Sequence, residues 1–179
     1  MADFTIADFG AVSDGTTDNA GAIQRAIDAC TDSGGGRVVV PAGARFIAGP
    51  FELKTNVTLH LEPGSRVEAN TDTSLYTDSP FRNRGEDSMW IRGREADNVA
   101  ITGTGALDGR GRAFIVDEEP THYNYGIVDG VDNRPHLLTL IECNGVTIRK
   151  TSKYRGGVYD RRPCDVEGIL EAPAAGLRL

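Results

Sequence analysis

Cysteine is scarce in this chain of 179 residues, and the three present, Cys30, Cys143 and Cys164, are widely spaced and odd in number. No C-x-x-C pair occurs, so neither a disulfide framework nor a zinc knuckle is supported, and the residues read as free thiols of a reducing compartment. Long apolar runs are missing too. Nothing approaches the roughly eighteen consecutive apolar residues of a membrane-crossing helix. The opening Met1-Ala2-Asp3-Phe4-Thr5-Ile6 has neither a basic nor an apolar leader segment, so no secretory signal is read and a cytoplasmic location is expected. Basic charge is outweighed, with 19 Lys and Arg against 26 Asp and Glu and a net charge of −7. That balance argues against nucleic acid or an anionic membrane as partner. Phosphate-cradling loops, G-x-S-x-G and H-E-x-x-H are all absent. The three histidines, His60, His122 and His136, stand singly, with no second ligand at metal-binding spacing, and solvent-facing positions are expected for them. No cofactor and no metal is expected.

Glycine, by contrast, is plentiful: 22 residues, about one in eight. Such a chain turns often. One helix is legible. Asp18 is placed to cap it, Ile23, Ala26, Ile27 and Cys30 follow at helical spacing on one face, and Gln24, Arg25 and Asp28 face water. Ser33-Gly34-Gly35-Gly36 stops it, with Gly34 suited to a left-handed terminal residue. A helix with one apolar face can cover a core but cannot be one.

From there to residue 150 the pattern is strand and turn. Apolar or alternating runs occur at 38–40, 46–47, 57–61, 66–69, 88–92, 99–101, 137–141 and 146–148, separated by Pro-Ala-Gly, Glu-Pro-Gly-Ser and Thr-Gly-Thr-Gly breakers. Asn56-Val57-Thr58-Leu59, Asn98-Val99-Ala100-Ile101 and Gly145-Val146-Thr147-Ile148 repeat at separations of 42 and 47 residues. With further strands near the midpoints, the implied coil is roughly 20–25 residues, a solenoid period, giving about five coils. An antiparallel sandwich would want tight two-residue hairpins, which the turns do not supply. The expected fold is all-β, a right-handed parallel β-helix with an N-terminal capping α-helix that covers the open end of the solenoid.

Residues 8–19 (Asp8-Phe9-Gly10-Ala11-Val12-Ser13-Asp14-Gly15-Thr16-Thr17-Asp18-Asn19), 22–30 and 34–43 resemble the N-terminal cap and first coil of pectin-degrading β-helix proteins. Leu59-His60-Leu61-Glu62-Pro63-Gly64-Ser65, Asn98 to Gly111, and Arg134-Pro135-His136-Leu137-Leu138 narrow the resemblance to glycoside hydrolase family 28, the polygalacturonases. It runs from residue 4 to about 150. It implies hydrolysis of α-1,4-linked galacturonic acid chains with inversion, one carboxyl group protonating the leaving oxygen while others activate water across the sugar. The family draws those groups from N-x-D, D-D, G-H-G and R-I-K motifs beyond the Arg-Pro segment.

None of these motifs is present in place. Asn70-Thr71-Asp72 spells N-T-D, but Thr73 follows where the family has Gly, and the triplet precedes Arg134-Pro135; it reads as a turn after an early strand. The resemblance implies that Asp108 is a turn residue capping neighbouring amides, with Leu107 inward. Asp117-Glu118-Glu119 reads as a solvated loop, not as the calcium site a lyase would need. Trp90, Tyr76, Tyr123 and Tyr125 read as packing residues. No catalytic, cofactor-binding or metal-binding residue is therefore assigned. Residues 1–150 are expected to form the cap and first coils; 151–179, where the rhythm and the resemblance both stop, form a tail of uncertain structure, out of frame or disordered. The solenoid is thus expected to be truncated at its C-terminal end and aggregation-prone there. The expected function is the N-terminal fragment of a polygalacturonase-like hydrolase acting on pectic polysaccharide, inactive as given. The alternative is a noncatalytic carbohydrate-binding or structural β-helix module.

Overall fold

The computed structural model describes residues 1–77, 89–114 and 135–149. Eleven short strands are joined in parallel into three sheets. The first sheet stacks β1 (Ala2–Thr5), β2 (Gly36–Val40), β5 (Val57–Leu61), β8 (Ala100–Gly103) and β11 (Thr147–Ile148). The second stacks β3 (Arg45–Ala48), β6 (Arg66–Ala69) and β9 (Ala106–Asp108), and the third β4 (Phe51–Leu53), β7 (Met89–Arg94) and β10 (His136–Ile141). The chain visits the three sheets in rotation, which is the parallel β-helix expected from the repeats.

Alternation fixes what faces inward. In β5, Val57, Leu59 and Leu61 are buried while Thr58 and His60 lie outward. Parallel register then stacks like on like: Phe4, Val38, Leu59, Ile101 and Ile148 form one inward column. Phe46, Val67 and Leu107 form a second, and Phe51, Ile91 and Leu138 a third. Each buried Leu, Ile or Phe contributes about 1.5–3 kcal/mol of apolar burial, and the columns make that burial continuous between coils.

The helix α1 (Ala20–Asp32) buries Ala22, Ile23, Ala26, Ile27 and Cys30 over the N-terminal end of these columns, as expected of a cap. Its start differs from expectation by one residue. Asn19 flanks it, but the Asn19 side chain is occupied elsewhere, bonding Val12, Thr17 and Ile47. Asp18 nevertheless accepts from the first helical amide, Ala20, at 2.8 Å, and from Gly49 at 2.9 Å. The helix stops where Gly34 turns left-handed, φ +93°.

The coil length departs from expectation. Gly36 pairs with Val57, so the first coil takes 21 residues, but Thr58 pairs with Ala100 and Ala100 with Thr147, so the next two take 42 and 47. The strands at 66–69 and 89–94 are further faces of the coil that begins at residue 57, and do not start coils of their own. Three coils and the first strand of a fourth are described, not five. Strand stacking constrains only the strands, so a corner can lengthen freely without moving the register. Most of the added length lies at one corner, between the second and third sheets: residues 49–50 in the first coil, 70–88 in the second and 109–135 in the third. The corner that enters the first sheet keeps a left-handed residue in every coil. Gly35, Asn56, Asn98 and Gly145 occupy it in successive coils with φ of +115°, +62°, +53° and +64°. Asn tolerates that left-handed conformation better than other residues with a Cβ.

Candidate functional site

The Thr102-Gly103-Thr104-Gly105-Ala106-Leu107-Asp108-Gly109 stretch contains more structure than the turn expected of it. It leaves β8, turns, runs through the short strand β9, and turns again. The Leu61 carbonyl accepts from both the Thr104 and Gly105 amides, at 3.0 and 3.1 Å, which draws the two backbones together. A Cβ on Gly103 would overlap the Leu61 carbonyl, and one on Gly105 the Ser65 hydroxyl. Leu107 is buried, as expected. Asp108 caps the Arg110 amide at 3.0 Å, and in addition pairs with Arg66 at 3.5 Å, a partner the sequence did not reveal.

That pair belongs to a charged network on the outer face of the second sheet. Register places Arg45 beside Arg66 and Glu68 beside Asp108, so like charges stack in neighbouring coils, an arrangement that costs energy unless crossed by opposite charges. It is crossed. Glu68, 5% exposed, accepts two 2.7 Å bonds from Arg45. Arg66 lies 3.7 Å from it and Arg110 4.0 Å. The Arg45 hydrogen bonds, outweighing burial, hold the Glu68 carboxyl below its ordinary range. The chemical consequence is plain: Glu68 is a fixed anion. A glycosidase acid must carry a proton near neutral pH, which takes an apolar or anionic setting, the reverse of three guanidinium neighbours.

The other described carboxyl groups with a clear displacement move the same way. Thr17 and Thr16 depress Asp14, Arg37 depresses Asp3, Lys54 and Gln24 depress Asp28 against burial, and Ser74 depresses Asp72. Among the described residues no group of three His, Cys, Asp or Glu could hold a metal ion.

The remaining candidates are placed as follows. Asn70-Thr71-Asp72 follows β6 and Asp72 caps the 3-10 turn at Thr73–Leu75 through the Ser74 amide, so it is the expected turn. Its Asn70 also donates to Asp18 at 2.6 Å, tying the long corner of the second coil to the cap. Tyr76 donates to the Asn70 carbonyl at 2.6 Å and meets Phe114 edge-on at 5.4 Å, so the bases of the two long corners touch. Trp90 is fully buried, bonding the Ala48 carbonyl at 2.9 Å. His60 faces outward from β5 with Nδ1 2.9 Å from the Thr102 hydroxyl, and His136 is exposed at the start of β10. On the outer face of the third sheet Arg92 pairs with Glu52 at 3.2 Å. His122, Asp117-Glu118-Glu119, Tyr123, Tyr125, Cys164 and the tail 151–179 lie outside the described residues. No described helix is long and apolar enough to cross a membrane.

Comparison with known proteins agrees with the geometry. Residues 4–86 match the family model for rhamnogalacturonase A/epimerase, pectate lyase-like proteins. An exopolygalacturonase from Zea mays is 34% identical over 168 residues, covering 87% of this chain and 37% of that protein. A mannuronan C5-epimerase from Azotobacter vinelandii is 51% identical, but over 62 residues, 31% of this chain and 3% of that one. The family 28 exopolygalacturonase structure from Yersinia enterocolitica superposes with a TM-score of 0.65 at 26% identity, covering 83% of this chain and 34% of that chain. The chain spans about a third of the length of the curated polygalacturonases it matches over most of its own length. By architecture the chain is a parallel β-helix, and in sequence and fold it is similar to the polygalacturonases.

Proposed function

We propose that residues 1–149 are the capped first coils of a polygalacturonase-type glycoside hydrolase acting on pectic galacturonan, and that this chain supplies scaffold without hydrolysing the polymer. One observation carries the reading. The chain shares the fold and most of its length with polygalacturonases, yet each described carboxyl with a displaced pKa is held as an anion, and none of the family's N-x-D, D-D, G-H-G or R-I-K motifs follows Arg134-Pro135. Inverting hydrolysis needs a protonated acid facing a water-activating base across the sugar, and the displaced carboxyl groups among the described residues all move away from the acid's role. The noncatalytic carbohydrate-binding alternative would want a row of exposed aromatic rings, and Trp90 and Tyr76 are instead buried.

The test is reducing-end release from polygalacturonate, with rhamnogalacturonan in parallel, by the purified 179-residue protein. The expected result is a rate no greater than the protein-free blank. Release that scales with protein concentration overturns the scaffold reading. The tail is tested separately: translating the DNA beyond codon 150 in all three frames is expected to reveal N-x-D, D-D, G-H-G and R-I-K in a frame other than the one read.

A further inference from the structure

The corner that enters the first sheet carries a second kind of chemistry. Asn144 and Gly145 form the chain's single Asn-Gly dipeptide, and both are exposed. The Asn144 side chain donates from Nδ2 to Asp97 Oδ1 at 2.9 Å, one position before the column in which Asn98 donates to Asn56 at 2.9 Å. Gly145 takes φ +64° and stacks on Asn98, and among the described residues its N–H donates to no partner. The other described asparagines, Asn19, Asn56, Asn70 and Asn98, precede Ala20, Val57, Thr71 and Val99, each of which carries a Cβ that crowds the following amide.

We infer that Asn144 is a site of spontaneous modification, converting to aspartate or isoaspartate with solvent water as the co-reactant. The Gly145 nitrogen gives its proton to solvent and attacks Asn144 Cγ. A C–N bond forms, the Cγ–Nδ2 bond breaks, and Nδ2 leaves as ammonia with a proton from solvent. Water then opens the five-membered imide at one of its two carbonyls. No electrons are exchanged. Two features of the fold favour the site: the attacking amide is not held in a ladder bond, and glycine leaves Cγ open to it.

The product matters because of Asp97. A neutral donor 2.9 Å from a carboxylate becomes a second carboxylate, so a ladder bond turns into like-charge repulsion. The isoaspartyl product also adds a methylene to the backbone between Cys143 and Val146, both buried in the core. The corner between β10 and β11 thereby loosens with age, while the same corner at Asn56 and Asn98 stays intact.

The experiment is a time course at neutral pH, read by peptide mapping and mass spectrometry of the intact folded protein. Asn144 is expected to convert at least about tenfold faster than Asn19, Asn56, Asn70 or Asn98, the factor that a barrier lower by 1.4 kcal/mol produces. Asn144→Gln is expected to remove the fast phase from the map. Asn144→Asp, made directly, is expected to melt below the unmodified protein. Conversion of Asn144 no faster than the other four, or a fast phase that survives in Asn144→Gln, overturns the site. Equal melting of Asn144→Asp overturns its proposed consequence.

Discussion

The first coil and the two that follow it share one cross-section and differ in length, at 21 residues against 42 and 47. The first passes from β3 to β4 through Gly49 and Pro50 alone, whereas 19 and 27 residues separate the corresponding strands of the second and third. The inward columns do not register the change: Phe46, Val67 and Leu107 stack across all three coils. What differs is the corner's base. In the first coil Gly49 needs a single bond, to Asp18. The long corners are anchored by Asn70 to Asp18, by Tyr76 to Asn70, by Tyr76 against Phe114, and by Arg110 to the Ala69 carbonyl. Stability resides in the strands and columns, and variation is concentrated at one seam.

That division can be broken at its centre first. Trp90→Ala removes a fully buried ring, its bond to Ala48 and its edge contact with Phe51 at 6.3 Å, and is expected to cost about 3–5 kcal/mol in denaturant unfolding. Next comes a pair of glycines. Gly103→Ala meets both a left-handed backbone and the Leu61 carbonyl, so it is expected to cost well above the about 1 kcal/mol of Gly34→Ala, which has the same kind of φ and open space around it. Equal effects would mean that close stacking between coils is not what selects glycine at 103.

Glu68→Gln is expected to cost about 1–3 kcal/mol, since it leaves the Arg45 fork facing a neutral, nearly buried amide. Its pH dependence has a definite sign. The folded Glu68 carboxyl titrates lower than in the unfolded chain, so its stabilisation is fully present above the unfolded glutamate pKa and is lost as pH falls through the folded one. Thermal melts of the two proteins should therefore differ most at neutral pH and converge in acid. Smallest is Asn98→Gly, expected to stay within about 1 kcal/mol, because it gives up an exposed side-chain bond while relieving a φ of +53°. A larger loss would make the asparagine ladder a structural element in its own right.

The sequence made the columns legible because period-two alternation and the Asn-Val repeat are local. Val57, Leu59 and Leu61 announce their burial within five residues, and Ile23, Ala26, Ile27 and Cys30 announce the cap. Coil length was not legible in the same way. A strand at the midpoint of a 42-residue repeat has the same composition whether it begins a new coil or forms another face of the old one. Only the pairing of Thr58 with Ala100 distinguishes them. Short strands suffered likewise: β4 and β9, three residues each, carry too little pattern to stand out from turns. The Arg45–Glu68 network was invisible for another reason. Its members sit 23 residues apart and meet only once the register is known, although Arg45 and Arg66, one short coil apart, were a signal that could have been read.

One measurement tests the shared cross-section most directly: amide hydrogen exchange of the first sheet, strand by strand. If the added length leaves the columns undisturbed, the interior amides of β5 and β8 are protected to the same order as those of β2, whatever the length of their coils. Protection that falls from β2 to β5 to β8 in step with coil lengths of 21, 42 and 47 residues would contradict the account, since the long corners would then be loosening the columns themselves.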